Sequence, residues 1–149
     1  MNIPRIVPLA ALLLLSTTTA CAREPGACAP VVSDGWVRLM PNDMPMHAGF
    51  GRIDNRCSKP ATIVSASSPA YGEVELHETR MVDGVSKMRE LTELRIAPDK
   101  AAVLQPGGLH LMLMQPKAKL QPGSKVAIQF TLSDGRSVLG EFQVRRFGD

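Results

Sequence analysis

Apolar and polar residues alternate in short runs along most of this chain, and clusters of Pro, Gly, Asn and Asp separate the runs. Alternation with a period of two marks a half-buried strand, and no longer stretch carries the period of an amphipathic helix. Strands are expected over residues 36–39, 47–53, 61–66, 73–81, 94–96, 102–104, 109–114, 126–132 and 138–144, with Asp54-Asn55, Ser67-Ser68-Pro69, Pro98, Pro106-Gly107-Gly108, Gln121-Pro122-Gly123 and Asp134-Gly135 as breaks. Roughly eight to ten short strands, mostly antiparallel, point to an all-β single domain built as a Greek-key β-sandwich or barrel. Neither an internal repeat nor a low-complexity tract interrupts the pattern.

One break makes a specific prediction about register. Val82-Asp83-Gly84-Val85 sets Asp-Gly between two strand-like runs, the composition of a two-residue hairpin turn. Val82 then pairs with Val85, Met81 with Ser86 and Thr79 with Met88, which leaves Met88 diagonal to His77. Diagonal neighbours on one sheet face lie roughly 7 to 8 Å apart, within reach of two side chains meeting at one ion.

The face pattern of residues 109–114 brings in chemistry. Leu109, Leu111 and Leu113 supply an apolar face, so His110, Met112 and Met114 share the other. In residues 73–81, Val74 and Leu76 face one way and Glu75, His77, Thr79 and Met81 the other. Methionine also fills irregular gaps in cores, and a lone histidine is more often a surface or satisfied residue than a ligand. An imidazole and thioethers on one face, with His77 and Met88 across a hairpin, favour a metal site. His77, Met88, His110 and Met112 make an uncharged nitrogen and sulfur set suited to copper(I). Protonation of imidazole competes with metal, so affinity is expected to fall as pH drops through about 6.5. Met81 and Met114 are auxiliary candidates that shield or touch the ion. Met46 and His47, in the run Met40-Pro41-Asn42-Asp43-Met44-Pro45-Met46-His47, are candidates for auxiliary capture.

The start of the chain narrows the compartment. Arg5, an apolar run over residues 6–15 broken by Pro8, and the small residues 16–20 read as an export signal too short to span a bilayer. Ala20-Cys21-Ala22 fits a cleavage site that would release a soluble periplasmic protein, whereas Cys21 alternatively receives lipid as the first residue of a lipoprotein. Thr18, where such signals usually carry Leu, favours soluble export. Taking residues 1–22 as signal leaves residues 23–149 as one domain with its own core. A formal charge of +3, or +2 without Arg5, spread among acids rather than clustered, argues against nucleic acid as a partner. Cys28 and Cys57 are natural disulfide partners in an oxidising compartment once Cys21 is removed or lipidated, with a free thiol or metal ligand as the alternative.

The spacing His-x10-Met-x21-His-x-Met, complete in His77, Met88, His110 and Met112, resembles the copper-binding motif of the PCuAC family of periplasmic copper chaperones. The surroundings are similar too: Gly35-Trp36-Val37-Arg38, Ala48-Gly49-Phe50, Glu75-Leu76-His77-Glu78 and Pro106-Gly107-Gly108-Leu109-His110-Leu111-Met112. The likeness spans about residues 30–145. It implies a cupredoxin-like β-sandwich that holds copper(I) near its surface and hands it to another protein, typically in assembly of the dinuclear copper centre of cytochrome c oxidase. The partner implied is a copper-accepting protein, an oxidase subunit or another copper chaperone, with the membrane involved only through a lipid on Cys21. Some members add a His- and Met-rich tail with a second copper site; Val144-Arg145-Arg146-Phe147-Gly148-Asp149 does not match one, so that site is not expected.

Other functions fit less well. The chain offers no G-x-S-x-G, no H-E-x-x-H and no glycine-rich phosphate loop after a strand, so an enzyme is not expected. A blue-copper electron carrier needs a cysteine thiolate beside two histidines and an axial methionine, yet no histidine follows Cys57 until His77. A periplasmic copper-buffering or resistance protein uses the same ligands without a dedicated acceptor and remains the alternative. An exported interaction module without metal is the bland reading.

Overall fold

The computed structural model describes residues 28–149, and the export-signal reading of residues 1–22 and the fate of Cys21 lie outside them. Ten strands form: β1 Val31–Arg38, β2 Met46–Asn55, β3 Ala61–Ser67, β4 Tyr71–Val82, β5 Val85–Glu90, β6 Leu94–Ile96, β7 Lys100–Leu104, β8 Leu109–Pro116, β9 Lys125–Leu132 and β10 Ser137–Arg145. A short 3-10 turn, Pro41–Asp43, joins β1 to β2. Hydrogen bonds link the strands in the order β5-β4-β8-β7-β2-β1-β10-β9-β3-β6, with β2 also pairing with β8. This sheet curls until β3 packs on β4, giving the all-β sandwich expected from the strand pattern, with the cupredoxin-like architecture that the family resemblance implies.

The core lies between the two layers so formed. Leu76, Leu111 and Leu113 come from β4 and β8, and Ile63, Ile128, Phe130 and Phe142 from the facing strands; all are nearly inaccessible. In β10 each second residue is buried, and the two-residue alternation of the sequence is realised along its full length. Burying a side chain of this size contributes about 1.5–3 kcal/mol, so the leucine face of β8 anchors the strand and leaves the opposite face to chemistry.

The hairpin forms in the predicted register, with Val82 opposite Val85, Met81 opposite Ser86 and Thr79 opposite Met88. Asp83 and Gly84 have φ of 51° and 76°, the two positive values that a type I′ turn demands. All of β5 is exposed. Its hold on β4 is reinforced by Glu78, whose Oε2 accepts from Arg89 across the pair at 3.0 Å and stands 2.8 Å from Arg80 Nε.

Three features depart from the expected pattern. β1 begins at Val31 rather than residue 36, because the turn-like Ser33-Asp34-Gly35 is a bulge within the strand: Asp34 takes φ 53°, and the register with β2 shifts between Ser33 and Trp36. β1 and β10 pair in parallel, which short-range sequence signals do not encode. Asn55, read as a terminator, belongs to β2 and is 1% exposed. Its amide donates to the carbonyls of Lys59 and Ile96, while its oxygen accepts from the Cys57 amide. A buried polar side chain is tolerable only when satisfied in this way.

Cys28 and Cys57 are joined in a disulfide with Cα atoms 5.7 Å apart. They extend the β1–β2 register, lying three positions before Val31 and three after its partner Asp54. The bridge therefore staples the start of β1 to the end of β2.

Candidate metal centre

β4 and β8 run antiparallel, with His77 directly opposite His110 and Glu75 opposite Met112. Their outward faces thus carry two imidazoles and a thioether side by side, and the hairpin adds Met88. His110 is 7% exposed, and its ring reaches Met88 of the hairpin. Its Nδ1 donates to the Gly108 carbonyl at 2.9 Å. A carbonyl oxygen can only accept, so in the neutral ring the proton sits on Nδ1 and Nε2 keeps a lone pair. That nitrogen lies 3.2 Å from Met88 Sδ. Two electron-pair donors therefore face each other with no proton between them.

His77 is arranged in a complementary way. Its Nε2–H donates to Glu75 Oε2 at 2.7 Å, while its Nδ1 is buried without a hydrogen-bond partner. The ring lies beside that of His110, centroids 5.9 Å apart. A carboxylate on one ring nitrogen fixes the tautomer and raises the basicity of the other, the usual support of a metal-binding histidine. The two-residue spacing of Glu75 and His77 on one strand face is the only sequence signal for this hydrogen bond.

Met88, His110 and Met112 line a cleft of about 340 Å³ with Thr79, Pro106 and Gly107. The neighbouring strands add Arg38, Met40, Met46, His47 and Phe50 to the lining, β2 being hydrogen-bonded to β8 and β1 to β2, and no carboxylate borders the cleft. Phe50 is held by Trp36, ring centroids 4.5 Å apart, and carries the Arg38 guanidinium 5.1 Å from its ring centre. Sequence reasoning missed this aromatic and cationic part of the lining, since it depends on the long-range pairing of β1 with β2 and of β2 with β8.

The auxiliary candidates divide. Met46 and His47 border the cleft. Met114 sits between Met46 on β2 and Glu73 on β4, one face position beyond Met112, outside the cleft lining. Met81 is 68% exposed near the hairpin turn and does not border it. His47 is buried, and its Nδ1 is 2.9 Å from the Tyr71 hydroxyl. Burial lowers the histidine pKa and raises that of the tyrosine, so the pair is neutral at ordinary pH.

Among the described residues no three His, Cys, Asp or Glu side chains converge as a metal site. Nitrogen and oxygen donors alone would not satisfy an ion here, and a complete set draws on methionine sulfur. Thioethers select soft ions, so zinc, calcium and magnesium do not match the donors.

The family described as "Putative lipoprotein LpqE-like" matches residues 31–144 of the chain. A "Putative lipoprotein Lxx21020" of Leifsonia xyli subsp. xyli (strain CTCB07) is 38% identical over 119 residues, covering 78% of this chain and 70% of its own length. Among solved structures, the solution structure of CuI-DR1885 from Deinococcus radiodurans is similar with a TM-score of 0.64 at 28% identity, over 83% of this chain and 85% of that one. The copper-bound PCuAC domain from PmoF2 matches with a TM-score of 0.63 at 13% identity, over 77% and 91%, a likeness of fold alone. The chain described here belongs to the LpqE-like family and is a PCuAC-type domain.

Proposed function

We propose that this protein is an exported copper(I) metallochaperone that holds one ion between His77, Met88, His110 and Met112 and delivers it to a periplasmic acceptor. The observation that carries the reading is the Nε2 lone pair of His110 facing Met88 Sδ at 3.2 Å. At bond lengths of about 2.1 Å to imidazole and 2.3 Å to sulfur, two ligands of a tetrahedral ion stand about 3.5 Å apart, so a small widening admits the metal. His77 joins through its unpartnered Nδ1, and Met112 through the face it shares with His110. The set is neutral, as a soft monovalent ion prefers. The structural neighbour CuI-DR1885 is a copper(I) form, which supports the choice of ion.

Delivery follows from unequal burial. Met88 is 55% exposed on the outermost strand, whereas His110 is buried. An incoming acceptor thiolate or imidazole displaces the Met88 thioether first, and the histidines release the ion last. No chemical bond of a substrate is made or broken, so the role is carriage rather than catalysis. The acceptor we favour is the dinuclear copper centre of cytochrome c oxidase. Lipoprotein names among the relatives support a lipid on Cys21, which would hold the carrier near a membrane-bound acceptor.

X-ray absorption at the copper edge of the copper(I)-loaded protein tests the ligand set. Two nitrogen and two sulfur scatterers are expected, and a shell of nitrogen and oxygen alone would overturn it. Oxidase activity in a gene-deleted strain at low copper tests delivery. A loss restored by added copper is expected, whereas unchanged activity with heightened copper sensitivity would make the protein a buffer.

A further inference from the structure

Arg52, Arg80, Arg89 and Arg136 each pair with a carboxylate on the surface of the sandwich. Arg38, which borders the cleft beside the proposed copper site, makes no ion pair among the described residues, and its Nε is buried without a hydrogen-bond partner. Aromatic rings hold it instead. Its guanidinium lies 5.1 Å from the Phe50 ring centre and 5.9 Å from that of Phe147. Arg145, directly opposite on β10, lies 5.0 Å from the ring centre of Trp36. Stacking of this kind orients a guanidinium and leaves the N–H groups along its edge for an anion. Register fixes where the Arg38 cation stands. Arg38 is opposite Ala48 on β2, and Ala48 is opposite Met112 on β8. Paired residues share a sheet face, so the three form one row on the face that carries the copper ligands, with the Arg38 and Met112 backbones two strand spacings, about 10 Å, apart. Only the Ala48 methyl stands between them in that row, and its small size leaves the cleft open from cation to thioether.

We propose, resting on the carrier reading above, that Arg38 docks a carboxylate side chain of the copper acceptor beside the ion that the acceptor removes. A guanidinium binds a carboxylate through two parallel N–H···O bonds, which fix orientation as well as position. Such a pair in the row of Met112 sets the acceptor's incoming thiolate or imidazole toward the ion. No carboxylate of this chain borders the cleft to compete for Arg38. The charge of the cleft also changes with loading. The ligand set is neutral, so a bound copper(I) ion adds one positive charge beside Arg38. The loaded carrier therefore attracts an acidic acceptor more strongly than the empty one does, which favours docking in the state that has an ion to give.

Stopped-flow transfer of copper(I) from the loaded protein to two dithiols tests the docking. Dimercaptosuccinate carries carboxylates beside its thiols, and 2,3-dimercaptopropanol carries none. Arg38→Gln is expected to slow transfer to dimercaptosuccinate about tenfold while transfer to dimercaptopropanol and the copper(I) affinity stay within about twofold of the parent. Raising the salt concentration is expected to slow only the dimercaptosuccinate reaction of the parent. Rates unchanged in the variant, or slowed equally for both dithiols, would overturn the role of Arg38. The metal-free protein supplies a second reading through the NMR signal of the Arg38 Nε–H. Succinate is expected to shift that signal and chloride at equal ionic strength to leave it in place. No shift with succinate, or a shift with inorganic phosphate alone, would overturn carboxylate binding. The two readings fail differently. Should the His and Met set not hold copper, transfer is lost from parent and variant alike while the succinate shift persists; should Arg38 not dock a carboxylate, copper still binds and transfers with Arg38→Gln matching the parent for both dithiols.

Discussion

At the disulfide end of the sandwich, Asn55 gives its amide hydrogens to the Lys59 and Ile96 carbonyls and takes one from Cys57, whose sulfur is bonded to Cys28. At the other end of β1, His110 Nε2 faces a sulfur instead of a proton donor, and His77 Nδ1 is buried with no partner. One end has its polar atoms matched to each other, and the other keeps lone pairs unmatched. Unmatched buried acceptors cost stability unless something fills them. The first end therefore serves folding and the second serves binding, which predicts that each can be damaged with little effect on the other.

The largest expected effect is on the folding side. Replacing both bridge cysteines, Cys28→Ser/Cys57→Ser, should lower stability by about 3 to 4 kcal/mol from the entropy of the opened loop, measured by urea unfolding, with copper(I) affinity within about twofold of the parent. A loss of affinity as large as the loss of stability would show that the ends are coupled. Asn55→Ala leaves the Lys59 and Ile96 carbonyls and the Cys57 amide without their partner, and should cost about 1 to 3 kcal/mol, again with affinity retained.

On the binding side, Glu75→Ala frees the His77 ring and should weaken copper(I) about 10- to 100-fold in a competition assay while thermal unfolding of the metal-free protein changes little. Unchanged affinity would remove Glu75 from the site. The smallest effect expected is with pH. Burial holds His47 below its ordinary pKa, so the unfolded chain takes up a proton that the folded one refuses. Stability of the metal-free protein should fall as pH drops from about 6.5 through the lower folded value, and His47→Gln should flatten that part of the profile. An identical slope in the variant would show that another group is responsible.

The sequence disclosed most where local chemistry alone determines structure. Asp83-Gly84 specifies a type I′ turn, which fixed Thr79 opposite Met88, and strict alternation in β9 and β10 specified their buried faces. It disclosed less where distant segments meet. The parallel pairing of β1 with β10 and the bulge at Asp34-Gly35 are tertiary matters, and Asn55 resembles a turn residue until its long-range carbonyl partners are seen. The same division runs through the metal centre. The spacing of His77, Met88, His110 and Met112 was legible in the chain, whereas the facing of His77 and His110, the Glu75 hydrogen bond and the Phe50 and Arg38 wall depend on how β1, β2, β4 and β8 meet.

The most direct measurement is an anaerobic copper(I) competition titration of the mature protein beside His77→Ala, Met88→Ala, His110→Ala and Met112→Ala. Each variant should lose affinity, His110→Ala by at least about a hundredfold because it removes the buried nitrogen that meets Met88, equivalent to roughly 2.7 kcal/mol or more. Binding unaltered in all four would contradict ligation by these residues.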